Sequence, residues 1–176
     1  MKRNYHKKFK DIIFLDINRK IKITNESINK FYRYRQTSFI SSEAGGVILG
    51  REDSSTNNLI IDVVTQPYSK DKRSRCSFIR IDKEHIKIYN QLNQDNNNIY
   101  MYIGEWHTHP EYSPNYSSID YSNWLRICEE NKTKDYQYHI IVGIEYISIW
   151  KLSKTSKTII EVYKESWKNL EVETEK

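Results

Sequence analysis

The chain has 176 residues but only two cysteines, three prolines and five glycines. Cys76 and Cys128 are too few for a disulfide framework and stand in no paired spacing such as CxxC, so we expect two reduced thiols. Long apolar runs are lacking too, because the run at residues 12–15 falls far short of the roughly 20 residues that a membrane span needs. Since no signal peptide is evident at the start, we expect a soluble, cytoplasmic protein that does not bind a membrane.

The charge of the chain is modest and mixed in sign. There are 28 Lys and Arg residues against 23 Asp and Glu residues, which gives a net charge of +5. Basic side chains concentrate in residues 2–10 and 70–75. Such clusters can bind nucleic acid or an acidic partner, but a solvated surface is the simpler interpretation. We therefore do not expect nucleic acid as a partner.

No internal repeat or linker divides the chain, so we expect one domain over residues 1–176. Its core is expected at about residues 20–155, with residues 1–10 and 165–176 loosely held. Alternating and helical apolar patterns predict strands within residues 11–23, 43–50, 59–65, 77–81, 100–106, 138–143, 146–152 and 159–163, and helices within residues 25–35, 82–92 and 120–130. This mixture indicates an α+β or α/β sandwich fold.

The most informative stretch lies at the end of the strand predicted for residues 100–106. It reads Gly104-Glu105-Trp106-His107-Thr108-His109-Pro110. Alternate residues of a strand share a face, so His107 and His109 point together, as two imidazoles must to hold one ion. Pro110 disfavours helix at the residue before it and keeps the chain extended there. A His-x-His pair alone is a weak signal for a metal site, so a third ligand has to be found.

Asp120 is the candidate for that third ligand, because it follows a loop containing Pro114 and can return to the histidines. Ser117-x-x-Asp120 also has the form of a helix capping box. Both roles can coexist, since the N-terminus of a helix favours a carboxylate. Two imidazoles and one carboxylate would leave the fourth tetrahedral position of a catalytic zinc to water.

Upstream, Glu43 begins the buried strand predicted for residues 43–50, which is entered through Gly45 and Gly46. The joint pattern of an upstream Glu, His-Thr-His-Pro and Ser-x-x-Asp resembles the JAMM motif of the JAB1/MPN/Mov34 metalloprotease family. The chain matches that motif at Glu43, His107, Thr108, His109, Pro110, Ser117 and Asp120, and the resemblance covers about residues 20–155. It implies an MPN/JAB domain, a curved mixed β-sheet flanked by helices that is similar to the cytidine deaminase fold.

The same resemblance implies a role for each residue of the site. His107, His109 and Asp120 would hold one zinc ion per chain. Glu43 would act as the general base, which takes the proton of the attacking water and passes it to the leaving amine. Ser117 would stabilise the oxyanion of the tetrahedral intermediate. The implied activity is that of a zinc metallopeptidase.

A narrower resemblance rests on residues 43–46, 71–78 and 104–109, which are similar to one bacterial JAB subfamily. Its members occur in mobile elements and in anti-phage operons, including CBASS-type systems that signal with cyclic oligonucleotides. The resemblance implies an isopeptidase that cleaves after the C-terminus of a conjugated ubiquitin-like protein or nucleotidyltransferase. It also implies ubiquitin-activating-like and conjugating-like enzymes of the same operon as partners.

Several other residues lie near the motif in the sequence or share its residue types. Residues 71–75 either line the groove for the substrate's tail or form a charged turn before a strand, and the sequence leaves both readings open. His85 is expected on the solvent side of a helix, and His139 is expected to be a satisfied core or edge histidine. Glu105 and Trp106 are expected to face away from the metal as structural residues.

Two other functions remain open at this point. Some domains of this family have lost the metal and only hold partners, although such members lack one or more of the ligands. Alternatively, the same zinc site could hydrolyse an amide in a small molecule or a sulfur-carrier conjugate. Only tests with substrates separate the second alternative from an isopeptidase.

Overall fold

The computed structural model describes residues 7–131 and 134–172 of the chain. Within them lie ten strands and four helices. The strands are β1 (Ile12–Asp16), β2 (Arg19–Ile23), β3 (Gly45–Glu52), β4 (Leu59–Val64), β5 (Lys72–Ser74), β6 (Ser77–Ile79), β7 (Met101–Thr108), β8 (Tyr136–Val142), β9 (Tyr146–Ser153) and β10 (Ile159–Ser166). The helices are α1 (Asn25–Arg33), α2 (Glu84–Asp95), α3 (Ser118–Glu130) and α4 (Trp167–Leu170).

Eight strands form one mixed sheet in the order β1-β2-β4-β3-β7-β8-β9-β10, while β5 and β6 form a separate hairpin. The pairs β2–β4 and β7–β8 are parallel, and the other neighbours are antiparallel. β7 and β8 can be parallel because α3 lies between them in the chain and supplies the crossover that such a pair requires. The curved mixed sheet with flanking helices confirms the predicted α+β fold.

The two faces of the sheet bury different sets of side chains, as the period of two along a strand requires. On one face Ile140 belongs to the main core, which also receives Phe31 from α1 and Trp106 from β7. On the other face the neighbouring Ile141 packs in a smaller cluster with Trp124 from α3. The sheet is therefore covered by α1 on one side and by α3 on the other, and β7 carries residues to both.

Helix α2 buries a different face from the one its apolar residues suggest. Ile86 is 58% exposed, whereas His85 is 1% exposed. The expectation that His85 faces solvent was therefore wrong. Its imidazole bridges Thr65 Oγ1 at 2.6 Å and Asp71 Oδ2 at 2.9 Å, and these hydrogen bonds satisfy a buried polar side chain that would otherwise be costly to bury.

The end of the described chain also differs from the expectation of a loosely held tail over residues 165–176. Trp167 and Leu170 of α4 are buried in the main core, where the indole of Trp167 donates to the carbonyl oxygen of Gly143 at 3.1 Å. Phe9 is buried there as well, although residues 7–10 were expected to be loose. Residues 1–6 and 173–176 lie outside the described part. No helix in the described ranges is long and apolar enough to cross a membrane.

Candidate metal centre

The two histidines meet at the end of β7, as strand alternation predicts. The Nε2 atoms of His107 and His109 lie 2.9 Å apart. His109 follows the last residue of β7, and its amide donates to the carbonyl oxygen of Val142 at 3.1 Å, which keeps this part of the chain extended beside β8. Both rings therefore face the same side of the sheet, at the edge of the cluster under α3.

The first turn of α3 brings Asp120 to the histidines. Its Oδ1 lies 3.2 Å from Nε2 of His107, and its Oδ2 lies 3.5 Å from Nε2 of His109. Ser117 is the N-cap of α3: its hydroxyl oxygen accepts from the Asp120 amide at 3.1 Å, and its own amide donates to Asp120 Oδ2 at 2.7 Å. The capping box is therefore present, while Oδ1 of the same carboxylate faces His107.

Glu43 completes the group from the strand next to β7. It lies two residues before β3, where Gly45 pairs with His107 in the antiparallel ladder. Its Oε1 lies 3.7 Å from Nε2 of His109, and the residue is 5% exposed. One ligand atom from each of Glu43, His107 and His109 lies within 4.8 Å of the others. The structure therefore brings together four of the residues that the sequence singles out.

These positions fit the ligand set of a zinc ion. The Nε2 atoms of His107 and His109 lie 2.9 Å apart, and the carboxylate of Asp120 approaches His107 with Oδ1 at 3.2 Å and His109 with Oδ2 at 3.5 Å. Ligands placed tetrahedrally at roughly 2.0–2.1 Å from zinc lie about 3.3–3.4 Å from one another. Imidazole nitrogens and a carboxylate oxygen are also the ligand types that zinc takes at catalytic sites. These distances are close to the separations that ligands of one tetrahedral zinc ion would have.

The pKa values in the group are moved apart by its surroundings. Burial raises the pKa of Glu43 to about 7, although the nearby His107 opposes the rise. Burial lowers the pKa of His109, and the charge of His107 lowers it further. For His107 burial acts in the same direction, but the hydrogen bond and charge of Asp120 outweigh it, so that its pKa is raised. Burial acts against ionisation of Asp120, but its bonds to His107 and Ser117 prevail and keep its pKa low.

A groove of about 580 Å³ leads away from this group between α3 and the β5–β6 hairpin. One wall presents Phe78, Ile79 and Arg80, and the other presents Ile119, Arg126 and Ile127. Phe78 lies where a side chain on Gly45 would be, since a Cβ there would come within 2.5 Å of the phenyl ring. The absence of a side chain at Gly45 thus lets the hairpin close against the sheet beside the metal ligands.

Glu105 lies in this groove, so the expectation that it faces away from the metal was wrong. Residues two apart on a strand share a face, and Glu105 therefore points to the same side as His107. Its Oε1 accepts from Nε and Nη2 of Arg80 at 2.9 and 2.6 Å. Trp106 is 1% exposed in the core on the opposite face, and the prediction for it is confirmed.

The sequence left the role of residues 71–75 open, and the structure places a strand, β5, within them. Ser74 accepts a hydrogen bond from the Glu43 amide at 2.7 Å, and Arg73 Nε donates to the Glu43 carbonyl oxygen at 2.6 Å. The segment thus contacts the main chain of Glu43. Neither contact was foreseen, because a strand of three polar, exposed residues carries no apolar alternation.

Comparison with known proteins places the chain among prokaryotic JAB proteins. A family model described as prokaryotic homologues of the JAB domain matches residues 26–161. A protein of Escherichia coli (strain TW11681) named CD-NTase/cGAS isopeptidase is 34% identical over 65% of this chain and 73% of its own length. Proteins of the same name from Vibrio cholerae and Pseudomonas aeruginosa are 29% and 33% identical, over 81% and 68% of this chain and 86% and 75% of their own lengths.

The fold also has a counterpart among solved structures. A protein from Desulfitobacterium hafniense, determined in solution, superposes with a TM-score of 0.52 over 79% of this chain and 87% of its own. At 15% sequence identity this likeness concerns the fold alone.

Proposed function

Because the chain belongs to the family of prokaryotic JAB-domain homologues, we propose that it is a zinc-dependent isopeptidase of the JAMM type. The proposed substrate is a conjugate in which the C-terminus of a CD-NTase, or of a ubiquitin-like protein, is joined to a target. The names of the three relatives support the first substrate. The observation that carries the proposal is the convergence of His107, His109 and Asp120 beside the buried Glu43.

In this proposal His107, His109 and Asp120 hold one zinc ion. Zinc bound by two histidines and a carboxylate polarises a carbonyl group and lowers the pKa of a water molecule to about 7. Asp120 is suited to this role because one of its oxygens is fixed by the helix cap while the other faces His107. The sheet fixes the histidines, since His109 is bonded to the main chain of β8.

Glu43 is the proposed general base. Its carboxyl group is nearly buried, with a pKa of about 7 before any cation is considered. A divalent cation nearby favours the ionised form of a carboxylate and lowers its pKa. Glu43 would then be ionised at neutral pH, so it could take a proton from the attacking water and deliver it to the amine that leaves.

Ser117 is the proposed donor to the developing oxyanion. It lines the groove beside Asp120, and its hydroxyl now donates to Asp120 Oδ2 at 2.7 Å. Rotation about one side-chain bond would turn this hydroxyl toward a reacting carbonyl without moving the backbone. Removing an oxyanion donor typically costs about 10²–10³ in turnover.

The groove between α3 and the hairpin is the proposed binding site for the tail that carries the scissile bond. α3 has 13 residues, so it is about 20 Å long and matches roughly six residues of extended peptide. An extended tail can also add as a strand to an exposed sheet edge such as the hairpin. Small residues are expected next to the cleaved bond, because bulky ones would crowd the metal ligands.

The proposed setting is bacterial anti-phage defence, where such an enzyme would reverse a conjugation reaction. Ubiquitin-activating-like and conjugating-like enzymes would form the bond that this chain cleaves. This setting is supported by the resemblance of the chain to the bacterial JAB subfamily of anti-phage operons. The same resemblance identifies the CD-NTase as the source of the tail for the test.

The proposal is tested by measuring the zinc content of the purified protein together with cleavage of a fusion that bears the CD-NTase tail. About one zinc per chain and cleavage that disappears in Glu43→Ala are expected. Zinc without cleavage of CD-NTase or ubiquitin-like fusions would overturn the proposed substrate and leave a small-molecule amide hydrolase. A protein that takes up no zinc would overturn the enzyme itself in favour of a binding module.

A further inference from the structure

The segment that carries Glu43, residues 41–44, is neither helix nor strand. Nevertheless, a main-chain group of each of these residues is hydrogen-bonded to a side chain from another part of the chain. Gln36 binds Ser41, Arg73 binds Ser42 and Glu43, and Thr108 binds Ala44. Side chains from three other parts of the chain therefore hold the segment, together with main-chain hydrogen bonds from Glu43 to Ser74 and from Thr108 to Ala44.

Gln36 holds the start of the segment and is 1% exposed. Its amide nitrogen donates to the carbonyl oxygen of Ser41 at 3.1 Å and to that of Arg75 at 2.7 Å. Its amide oxygen accepts from the hydroxyl of Thr108 at 3.0 Å. One buried side chain thus connects the Glu43 segment, the β5–β6 hairpin and the residue between the two candidate ligand histidines.

Arg73 holds the segment from the hairpin side. Its guanidinium Nε donates to the Glu43 carbonyl oxygen at 2.6 Å, and its Nη2 donates to that of Ser42 at 3.2 Å. The Glu43 amide in turn donates to the carbonyl oxygen of Ser74 at 2.7 Å. The planar fork of a guanidinium places two donors at fixed positions, which a lysine does not.

The base of the hairpin is fixed to the sheet by a buried network. The Asp71 carboxylate accepts from the amides of Tyr68, Ile81 and Asp82 and from the imidazole of His85. The other ring nitrogen of His85 meets the hydroxyl of Thr65 at 2.6 Å. Arg73 therefore extends from a fixed support, since both ends of the hairpin are held at Asp71.

We propose that Gln36 and Arg73 are positioning residues that hold the carboxylate of Glu43 at the distance from the metal ligands that proton transfer requires. The inference rests on the proposed function and adds two residues that lie outside the JAMM pattern. Neither side chain touches the reacting atoms; each acts through the main chain of residues 41–43. A misplacement of about 1 Å in a catalytic group can cost roughly 10²-fold in rate.

The test compares Arg73→Met and Gln36→Met with two matched controls on exposed positions, Arg33→Met on α1 and Gln91→Met on α2. Zinc content, thermal stability, kcat and KM are measured for each with the tail fusion as substrate. Amide hydrogen exchange at Glu43 is measured in parallel, because its amide donates to Ser74. Arg73 lies on an exposed hairpin strand, so its substitution should disturb folding less than that of the buried Gln36. Arg73→Met therefore still tests the proposal if Gln36→Met does not fold.

Arg73→Met is expected to lower kcat at least tenfold, with KM and zinc content close to those of the wild type and faster exchange at Glu43. The controls are expected to change none of these. An unchanged kcat, or an effect on KM alone, would overturn the positioning role and make Arg73 a contact to the tail. If the wild type cleaves no fusion, the proposed function fails, and exchange at Glu43 alone decides: unchanged exchange in Arg73→Met would overturn the inference.

Discussion

The indole ring of Trp124 stacks on the imidazole of His139, with ring centroids 4.4 Å apart and planes inclined by 8°. The contact buries His139 completely between α3 and the sheet. Its Nδ1 accepts from the amide of Glu105 at 3.4 Å, while Nε2 has no hydrogen-bond partner among the described residues. His139 is thus the core histidine that the sequence predicts, but only one of its nitrogens is satisfied.

Acid should destabilise the protein through His139, whose pKa is lowered to about 3 by burial and by the charge of His107. The unfolded chain takes up a proton near pH 6.5, whereas the folded one does not, so stability falls as the pH drops below about 6.5. The free energy of unfolding of His139→Met, relative to that of the wild type, should therefore increase by roughly 2 kcal/mol when the pH is lowered from 7.5 to 5. Urea unfolding at both pH values measures this, and a difference that does not change with pH would contradict it.

Glu43 should destabilise the zinc-free protein at neutral and alkaline pH. Its pKa rises from 4.5 to about 7 on folding. Between these pH values the unfolded chain releases the proton of Glu43 while the folded chain keeps it, so the folded state becomes less stable as the pH rises from 4.5 to about 7. Glu43→Gln should therefore raise the free energy of unfolding of the zinc-free protein by about 1–3 kcal/mol at pH 8 and change it little at pH 4.5. Equal effects at the two pH values, measured by urea unfolding in the presence of a chelator, would argue against a buried ionisable group here.

Asp120→Ala should reduce zinc occupancy, because it removes the carboxylate that faces both histidines. It also removes half of the capping box, so that a loss of stability of about 1 kcal/mol is expected beside the loss of metal. Ser117→Ala is the matched control, since it removes the cap hydroxyl and keeps the carboxylate. Zinc bound per chain is measured after dialysis against a weak chelator. Full occupancy in Asp120→Ala would exclude this residue as a ligand.

Ser117→Ala should slow turnover by roughly 10²–10³ if the hydroxyl serves the oxyanion. The same substitution weakens the N-cap of α3, which is a separate cost in stability of about 1 kcal/mol. Ser166→Ala provides the comparison, because Ser166 caps α4 by accepting from the Asn169 amide at 3.2 Å. Turnover of the tail fusion and thermal stability are measured for both variants. If both variants lose thermal stability and neither loses turnover, Ser117 acts only as the N-cap of α3.

The common face of His107 and His109 and the position of Asp120 in the first turn of α3 could be predicted because each depends on neighbours in the chain, whereas the approach of Asp120 to the histidines was implied by the resemblance to the JAMM motif. Strand alternation aligns the histidines, and the capping pattern fixes where α3 starts relative to Asp120. The same alternation places Glu105 on the face of His107, because the two residues are two apart on β7, yet the prediction from the sequence assigned it to the opposite face. The error lay in applying the rule, and the sequence contained the information needed.

Other features depend on contacts between residues distant in the chain. The burial of His85 follows from hydrogen bonds to Asp71 and Thr65, which are 14 and 20 residues away. Gln36 meets Thr108 across 72 residues. No sequence periodicity predicts such pairs. A lone polar residue in a helix or turn has the pattern of an exposed residue unless its partners are known.

The irregular segment at residues 41–44 has a consequence for evolution within this family. If Arg73 and Gln36 position Glu43 as proposed, a descendant that exchanged Arg73 would keep every motif residue and still lose most of the proposed activity. Such a pseudoenzyme would pass unnoticed in a survey of genomes that counts only the motif. The position of Arg73 and the amide at Gln36 therefore belong among the criteria by which active and inactive descendants are told apart.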